Sequence, residues 1–291
     1  MQTLAQNILA CKTAREKAAQ TAAEVLKSSM NISESELCKK WSENLYKGGI
    51  HASGWYSPPP RGLAALFEHE SLPQRVAYDN LRKQEFWPLG SKVFGQNSIG
   101  YIYASPVAKL SGIIGDFGMT VYSGSNKNIL SHIKSILETV EQAAEYAQVG
   151  MEFREIYNFC QKLMAEKGLN NKRTMTYTDT AGANIGHTVP WTYELPTTDE
   201  LAVINGANFE TLKNLISKKR VHLNGQETFK IPSTVAFTLE PRAESNVNPS
   251  LPMASLHLII TFVDGKKEIL ANFNPIFQVL EMDKFIQSRF S

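Results

Sequence analysis

The segment from Leu4 to about Lys27 mixes apolar side chains with alanine, lysine and glutamate, and it contains neither proline nor glycine. Such residues are strong helix formers, so we predict one long first helix. Ser33 precedes Glu36 by three positions, a capping-box signature that predicts the start of a second helix. This helix is expected to run to about Lys47 and to end at Gly48-Gly49.

A proline-rich stretch follows the second predicted helix. Ser57–Gly62 holds three consecutive prolines, which predicts a rigid, non-helical loop. His69–Glu85 is polar and has no clear period, so we interpret it as a connector. Short β-like runs follow it.

The second half of the chain begins with the same order of elements. A helix is predicted from about Asn128 to Gln148, followed by a break at Val149–Met151. A further helix is predicted from Glu152 to about Lys167, and Gly168 is expected to end it.

This shared order indicates an internal repeat. A shift of about 121 residues aligns Met30 with Met151 and Glu34 with Glu155. We therefore predict a single domain over 1–291, built from two related α+β halves of about 1–127 and 128–291.

After Lys172, β-like runs dominate the sequence. Thr234–Leu239 and Leu256–Val263 are rich in β-branched and aromatic residues, which favour strands. Asp264-Gly265 is a turn dipeptide that precedes the run Lys267–Leu270. We predict a β-hairpin around this turn.

The composition is that of an ordinary globular chain. Of its 291 residues, 43% are hydrophobic and 20% charged, enough to bury a core around an enclosed site. Thirty basic residues stand against 28 acidic ones, and no segment concentrates the excess, so a nucleic-acid partner is disfavoured. The densest run, Lys218-Lys219-Arg220, we interpret as a solvated helix end, with a phosphate-binding patch as the alternative.

The cysteines and the hydropathy pattern bear on the compartment. Cys11, Cys38 and Cys160 are too few and too scattered for a disulfide framework, and each is expected to be a buried thiol in a helix. The N-terminus lacks an apolar run of signal-peptide length, and no segment approaches the roughly 18 apolar residues of a membrane span. We predict a cytoplasmic protein without a membrane partner, although a signal in the C-terminal tail is an alternative.

No Gly-rich phosphate loop, Ser-centred elbow or Cys/His zinc spacing occurs in the sequence, which disfavours nucleotide chemistry. Four other residues are candidates because each is a ligand-type side chain within or beside an apolar run. Asp116 is either a ligand at a strand end or a turn residue. His187 lies among small residues, where a ring can reach a site, and Glu240 ends a β-like run and needs Arg242 or a metal as partner. His257 is either a core histidine or a site residue.

In order and spacing, these stretches resemble the motifs of the pita-bread superfamily of methionine aminopeptidase, prolidase and creatinase. Gly186-His187 followed by Tyr193-Glu194-Leu195-Pro196 is similar to the family's Gly-His and His-Glu-x-Pro segment. The strand ending in Glu240-Pro241, the run before Asp116 and the hairpin of Leu256–Gly265 are similar to its other motifs. The resemblance implies an α+β pita-bread fold, with two pseudo-symmetric halves around a curved antiparallel sheet.

The resemblance also implies a metal centre, because the family places two Asp, one His and two Glu around a pair of divalent ions. Asp116, His187 and Glu240 match three of these ligands. The second Asp, expected about 11 residues after Asp116, falls at Lys127, and the second bridging Glu falls at Leu256. Both bridging carboxylates are therefore predicted to be missing, and a dinuclear centre is expected to be very weak.

One chemistry that remains uses a single ion. Asp116, His187 and Glu240 would offer one nitrogen and two oxygen ligands with open positions, and His257 would add a fourth ligand. This set is compatible with Fe, Mn or Zn.

The other chemistry uses no cofactor. Lys127 would replace the positive charge of the metal, and His187 would act as acid and base, as the pocket histidine does in creatinase. Glu240 would orient the substrate. Tyr193 stands where the family has a substrate-facing histidine, and its phenol would donate a hydrogen bond to a substrate oxygen.

These observations support three functions. The retained residues favour a divergent enzyme acting on a small amide, amidine, amino-acid-derived or peptide-like substrate. The missing carboxylates favour a non-catalytic pseudo-peptidase that serves as a binding or regulatory module. A conventional metal-dependent aminopeptidase is the third hypothesis, and the family habit implies a homodimer.

Overall fold

A computed structural model describes residues 3–29, 31–51, 62–108, 111–174, 179, 182–206 and 208–290. The helices in these ranges are α1 (Leu4–Ser28), α2 (Glu34–Lys47), α3 (Lys127–Tyr146), α4 (Phe153–Glu166), α5 (Thr198–Asn205), α6 (Phe209–Lys219) and α7 (Asn274–Val279). The strands are β1 (Ile32–Ser33), β2 (Ile50–His51), β3 (Leu63–His69), β4 (Val93–Phe94), β5 (Ser98–Ala104), β6 (Val107–Ala108), β7 (Phe117–Ser123), β8 (Leu169–Asn171), β9 (Val235–Leu239), β10 (Ala243–Ser245), β11 (Leu258–Val263) and β12 (Lys266–Leu270).

Both predicted N-terminal helices are confirmed. The Ser33 hydroxyl accepts the N–H of Glu36 at 3.2 Å, as the capping signature predicts, and α2 ends at Gly48. Trp41 of α2 is fully buried, and its indole N–H donates to the Ala18 carbonyl of α1 at 3.0 Å. This contact fixes the two helices against each other. The predicted proline loop of residues 57–62 lies outside the described residues except for its last glycine.

Two three-stranded antiparallel sheets form the centre of the fold. Their strand orders are β3-β5-β7 and β12-β11-β9. A bridge between Met119 and Leu256 joins them, and the N–H of His257 donates to the Gly118 carbonyl at 2.9 Å. The segment that leads into β11 therefore joins the two sheets, and the combination of helices with antiparallel sheets confirms the predicted α+β class.

The second helix pair and the final hairpin also match the prediction. Helices α3 and α4 occupy the two predicted helical segments, and Gly168 follows α4 with a φ of 66°. Asp264 and Gly265 have φ values of 50° and 81°, so both adopt the left-handed conformation of a two-residue hairpin turn between β11 and β12. A helix pair and a three-stranded sheet thus occur twice along the chain, although the division into two related halves stays a prediction.

The interpretation of the region after Lys172 as mainly β-like is wrong in part. Helices α5 and α6 lie between two of the motif segments, and α7 follows the final hairpin. Helix α5 has no buried residue, so it lacks the apolar stripe by which a helix is recognised in a sequence. The connector of residues 69–85 contains short 3₁₀ turns rather than one regular element.

Two of the three cysteines are buried in helices, as predicted. Cys11 in α1 and Cys160 in α4 are fully buried, and burial raises the pKa of both thiols to about 12. They are therefore protonated and unreactive at neutral pH. Cys38 in α2 is partly buried.

Within the described part of the chain, no helix has the length and apolar character to cross a membrane.

Candidate active site

The candidate site lies where β5 ends beside the start of β7. Ala104, the last residue of β5, pairs with Phe117, the first residue of β7. Ser105 and Asp116 extend this pairing by one residue, and the Ser105 hydroxyl donates to Asp116 Oδ1 at 2.6 Å. The Tyr103 hydroxyl donates to the same oxygen at 3.2 Å, so two hydroxyls hold this buried carboxylate.

His187 lies on an extended segment that is paired on both sides. Its N–H donates to Thr238 Oγ1 at 2.9 Å, and on the other side it forms a bridge with His222. Its ring Nδ1 lies 3.0 Å from the Thr188 carbonyl oxygen. Because a carbonyl only accepts, Nδ1 carries the proton and donates it, and the lone pair is left on Nε2.

Glu240 brings a second carboxylate to this nitrogen. Its backbone N–H donates to the Ile185 carbonyl at 2.7 Å, which holds the end of β9 beside the histidine segment. Glu240 Oε1 lies 3.7 Å from His187 Nε2, and Asp116 Oδ2 lies 3.8 Å from the same atom. Glu240 Oε2 lies 3.5 Å from His257 Nδ1. The structure therefore brings together all four residues that the sequence singles out.

His257 closes the far side of the site. It is 0% exposed, and its ring stacks parallel to that of Tyr103, with centroids 6.4 Å apart and an interplanar angle of 12°. Within the described residues neither ring nitrogen has a hydrogen-bond partner. A buried imidazole without a partner is costly in an ordinary core, which favours the site interpretation of this residue.

Arg15 of α1 forms hydrogen bonds with the backbone that carries the site residues. It is 0% exposed, and its guanidinium donates to the backbone carbonyls of Asp116, His257 and Ala271 and, at 3.0 Å, to Asn272 Oδ1. Burial lowers the pKa of Arg15 to about 9, so it still carries its charge at neutral pH. One side chain thus ties the first helix to two of the site residues.

Burial and nearby charge set the protonation of the site. Burial is the main cause that lowers the pKa of His187 and His257 well below the usual range, and the positive charge of Arg220 lowers both further. Both imidazoles are therefore neutral at pH 7. Burial raises the pKa of Asp116, and the Arg220 charge opposes this effect more than the hydroxyl hydrogen bonds do.

Gly186 allows the backbone of the histidine segment to approach β9. A Cβ atom at this position would lie 2.0 Å from the Thr238 carbonyl oxygen, which is part of the paired backbone and cannot move aside. We expect Gly186→Ala to separate the two segments and to lower the free energy of unfolding by about 1–3 kcal/mol. Urea denaturation followed by circular dichroism measures this change.

Gly90 provides the control for this substitution. A Cβ atom there would lie 3.5 Å from Ser35 Oγ, which is ordinary van der Waals contact. Gly90→Ala is therefore expected to leave stability unchanged. Equal stability of the two variants would contradict the close approach at Gly186.

The predicted position of the second Asp is wrong. Lys127 begins α3, is exposed, and lies beyond the opposite end of β7 from Asp116. The residue 11 positions from Asp116 that contacts it is Ser105, upstream along the chain. Asp116 therefore corresponds to the second Asp of the family's pair, and a serine replaces the first. Lys127 does not supply the positive charge of the site.

Tyr193 does not face the site either. Its hydroxyl donates to the Lys219 carbonyl at 3.0 Å, and its ring packs edge-on against Phe229. Because the phenolic proton is committed to a backbone carbonyl, the predicted role of Tyr193 as a donor to substrate is not supported.

Three side chains near the site are not assigned to it from the sequence: Arg15, Arg220 and His222. The His222 ring lies perpendicular to that of His187, with centroids 6.2 Å apart. The alternation of polar and apolar residues from Arg220 to Leu223 is a strand signal that could have identified two of the three. Arg15 lies on the apolar face of α1 with Cys11 and Ala18, and a charged residue on such a face is a signal that the helix prediction did not use.

A pair of metal ions does not fit these residues. Ser105 and the fully buried Leu256 occupy two of the positions that hold carboxylates in the family, and neither side chain carries a charge. Among the residues that the structure describes, no three His, Cys, Asp or Glu side chains are grouped so as to hold a metal ion. The predicted single-ion set of Asp116, His187, Glu240 and His257 stays a prediction.

Comparison with known proteins identifies the relatives of this fold. The model of metallopeptidase family M24 matches residues 7–242, which include Asp116, His187 and Glu240. No curated protein sequence matches the chain.

Solved structures of aminopeptidases and dipeptidases share the fold, which confirms the predicted pita-bread architecture. The X-Pro aminopeptidase from Thermotoga maritima superposes with a TM-score of 0.57 at 14% identity, covering 91% of this chain and 60% of its own. The Xaa-Pro dipeptidase from Bacillus anthracis gives a TM-score of 0.59 at 16% identity, covering 90% and 59%. The methionine aminopeptidase from Thermotoga maritima gives 0.58 at 14% identity, covering 89% and 96%. The chain thus spans about three fifths of the first two relatives and nearly all of the third.

Proposed function

We propose that this chain, which belongs to metallopeptidase family M24, is a divergent peptidase-like enzyme without the metal pair. Its substrate would be a small amide, amidine or amino-acid-derived molecule, and His187 would be its acid/base. The carrying observation is that His187 Nε2 faces Asp116 and Glu240 at 3.8 and 3.7 Å while Nδ1–H is held by a carbonyl.

The three acceptors favour a substrate rich in N–H groups. Asp116 Oδ2, Glu240 Oε1 and His187 Nε2 all present lone pairs to the space between them. Both carboxylate oxygens lie beyond hydrogen-bonding distance of His187 Nε2, so neither is bonded directly to this nitrogen. An amide, amine or amidinium entering this space would donate to both carboxylates, which would orient it while His187 takes up a proton.

His187→Ala tests this proposal. With an active substrate found among Xaa-Pro and Met-Ala dipeptides, small amides and amidines, we expect kcat/KM to fall by about 100-fold or more, because the general base is lost. Chelator treatment is expected to leave wild-type turnover unchanged. Steady-state kinetics with and without a chelator provide both readouts.

His69→Ala is the matched control, since His69 is an exposed histidine at the end of β3 whose ring bonds to the nearby Ser71. Its kcat/KM is expected to equal that of the wild type. Loss of turnover with chelator would sink the metal-free mechanism, and full turnover by His187→Ala would remove this residue from it.

A non-catalytic binding module is the second candidate. The replacements at Ser105 and Leu256 favour it, because they remove charge that hydrolysis in a metallopeptidase would use. Such a module would bind its peptide-like ligand without turnover, and His187→Ala would leave binding intact. Cytoplasmic location and a homodimer remain predictions for either candidate.

A further inference from the structure

Arg220 enters the site from the strand-like segment that pairs with His187. Its backbone is extended, with φ −77° and ψ 131°, directly after the end of α6. The next residue, Val221, accepts the N–H of Thr188 at 2.9 Å, and Leu223 donates to the Gly186 carbonyl at 2.8 Å. The segment is therefore held antiparallel to the histidine segment.

This pairing determines where the Arg220 side chain points. His222 is the bridge partner of His187, and the two rings are in contact. Because side chains two residues apart on an extended segment lie on the same face, Arg220 and His222 share the face that meets His187. A diagonal neighbour on paired strands lies within reach of a long side chain, so the guanidinium can extend to the His187 centre.

Burial and electrostatics support this placement. The Nε and Nη2 atoms of Arg220 are shielded from solvent, unlike the ammonium groups expected of a solvated basic run. Arg220 acts on the pKa of Asp116, His187 and His257, and it is the strongest charge acting on Asp116. These effects agree with the placement that the strand pairing gives to the guanidinium.

The two fully buried arginines near the site, Arg15 and Arg242, donate mainly to backbone carbonyls. Arg15 donates to three carbonyl oxygens and an asparagine side chain. Arg242 donates to the carbonyls of Asn184 and, at 3.4 Å, Lys172. Their positions follow from these backbone contacts, whereas Arg220 comes from the segment that lines the histidine.

We propose that Arg220 is the resident cation of the centre. Its guanidinium offsets the negative charge of Asp116 and Glu240 where a metallopeptidase relies on metal ions, so the wild-type centre does not take up a divalent ion. This inference deepens the proposed function and rests on its metal-free centre. The carboxylates would gain affinity for a divalent cation only when this charge is removed.

Metal binding by Arg220→Met and Arg220→Gln tests the proposal without any turnover assay. After incubation with Mn²⁺, Co²⁺ or Zn²⁺ and dialysis, the wild type and Arg220→Lys are expected to hold only substoichiometric metal. The two uncharged variants are expected to bind at least one of these ions about tenfold or more tightly than the wild type. The reason is that removal of one nearby positive charge removes a repulsion on the dication, and this repulsion is large enough to change its affinity by at least that factor. Elemental analysis and isothermal titration calorimetry measure both quantities.

Lys218→Met is the control, because Lys218 is an exposed cation of the same basic run. Its metal binding is expected to match the wild type. One equivalent of metal in the dialysed wild type, or no gain in both uncharged variants, would overturn the proposal. If either uncharged variant fails to fold, the other variant and the wild-type metal content still decide the question. A metal-free wild type that turns over no substrate would instead count against the proposed function alone.

Discussion

Replacing Arg15 by methionine is expected to lower the free energy of unfolding by about 3–5 kcal/mol, because it leaves several buried acceptors unsatisfied at once. The carbonyls of Asp116, His257 and Ala271 all accept from this guanidinium. The side chain is fully buried, with its charge 5.2 Å from the centroid of the Phe117 ring. Urea denaturation followed by tryptophan fluorescence measures the loss.

Two further variants separate the causes of this effect. Lys12→Ala removes a partly exposed cation one turn earlier in α1, whose ion pair with Glu268 is solvent-accessible. This change is expected to cost at most about 1 kcal/mol. Arg15→Lys keeps the charge but loses the planar fork, so it is expected to remain clearly destabilised. If Arg15→Met lowers the free energy of unfolding no more than Lys12→Ala does, the backbone contacts of Arg15 contribute little to stability.

The Arg15 contacts also explain why the site depends on the first helix. Asp116 and His257 come from different sheets, and their backbones are joined by hydrogen bonds to one guanidinium. Gly115 lets α1 approach this point, since a Cβ there would lie 2.3 Å from the backbone nitrogen of Arg15. A helix far from the site in sequence therefore sets the spacing of the site residues.

Local patterns were sufficient to predict the long helices, the final hairpin and the four candidate side chains. Capping residues and the Asp264-Gly265 turn act over a few positions, so their structural consequence can be read directly. Helix α5 could not be predicted in this way, because its residues bury no apolar face.

The partner of Asp116 could not be identified from spacing alone. A separation of about 11 residues applies equally upstream and downstream, and only the pairing of β5 with β7 selects Ser105 over Lys127. A serine also carries none of the chemistry by which a metal ligand is recognised. The wrong placement of the second Asp at Lys127 follows from these two facts.

The interpretation of Arg220 as part of a solvated helix end is wrong in part, because the basic run Lys218–Arg220 spans the end of α6 and the start of an extended segment. Lys218 and Lys219 lie in the last turn of α6, where the helix dipole favours them, as predicted. Lys219 forms ion pairs with Glu194 and Glu200 at 2.7 and 2.8 Å. Arg220 is extended, so its side chain leaves the helix surface and joins the site. A shift of one residue in the helix end thus separates an exposed charge at Lys218 from a partly buried one at Arg220, whose Nε and Nη2 atoms are shielded from solvent.

Replacing Glu34 by alanine is the second substitution expected to have a large effect, again about 3–5 kcal/mol in the free energy of unfolding. The Glu34 carboxylate is fully buried and accepts from both terminal nitrogens of Arg75. It also accepts the backbone N–H groups of Phe67 at 2.6 Å and Leu89 at 2.9 Å. Its loss would leave an arginine that is only 9% exposed without its counter-charge, together with two unpaired amides.

Glu36→Ala controls for the change of charge in the same helical turn. Glu36 forms an exposed i,i+4 pair with Lys40 at 2.8 Å, so its removal is expected to cost only about 0.3–0.5 kcal/mol. Glu34→Gln keeps the shape but not the charge, and it is expected to lie between Glu36→Ala and Glu34→Ala. If all three variants unfold at the same urea concentration, the buried pair does not hold α2 to the segment from β3 to Leu89. A separation of several kcal/mol, with the midpoint shifted and the urea dependence unchanged, would show that this one carboxylate anchors the connector onto the fold.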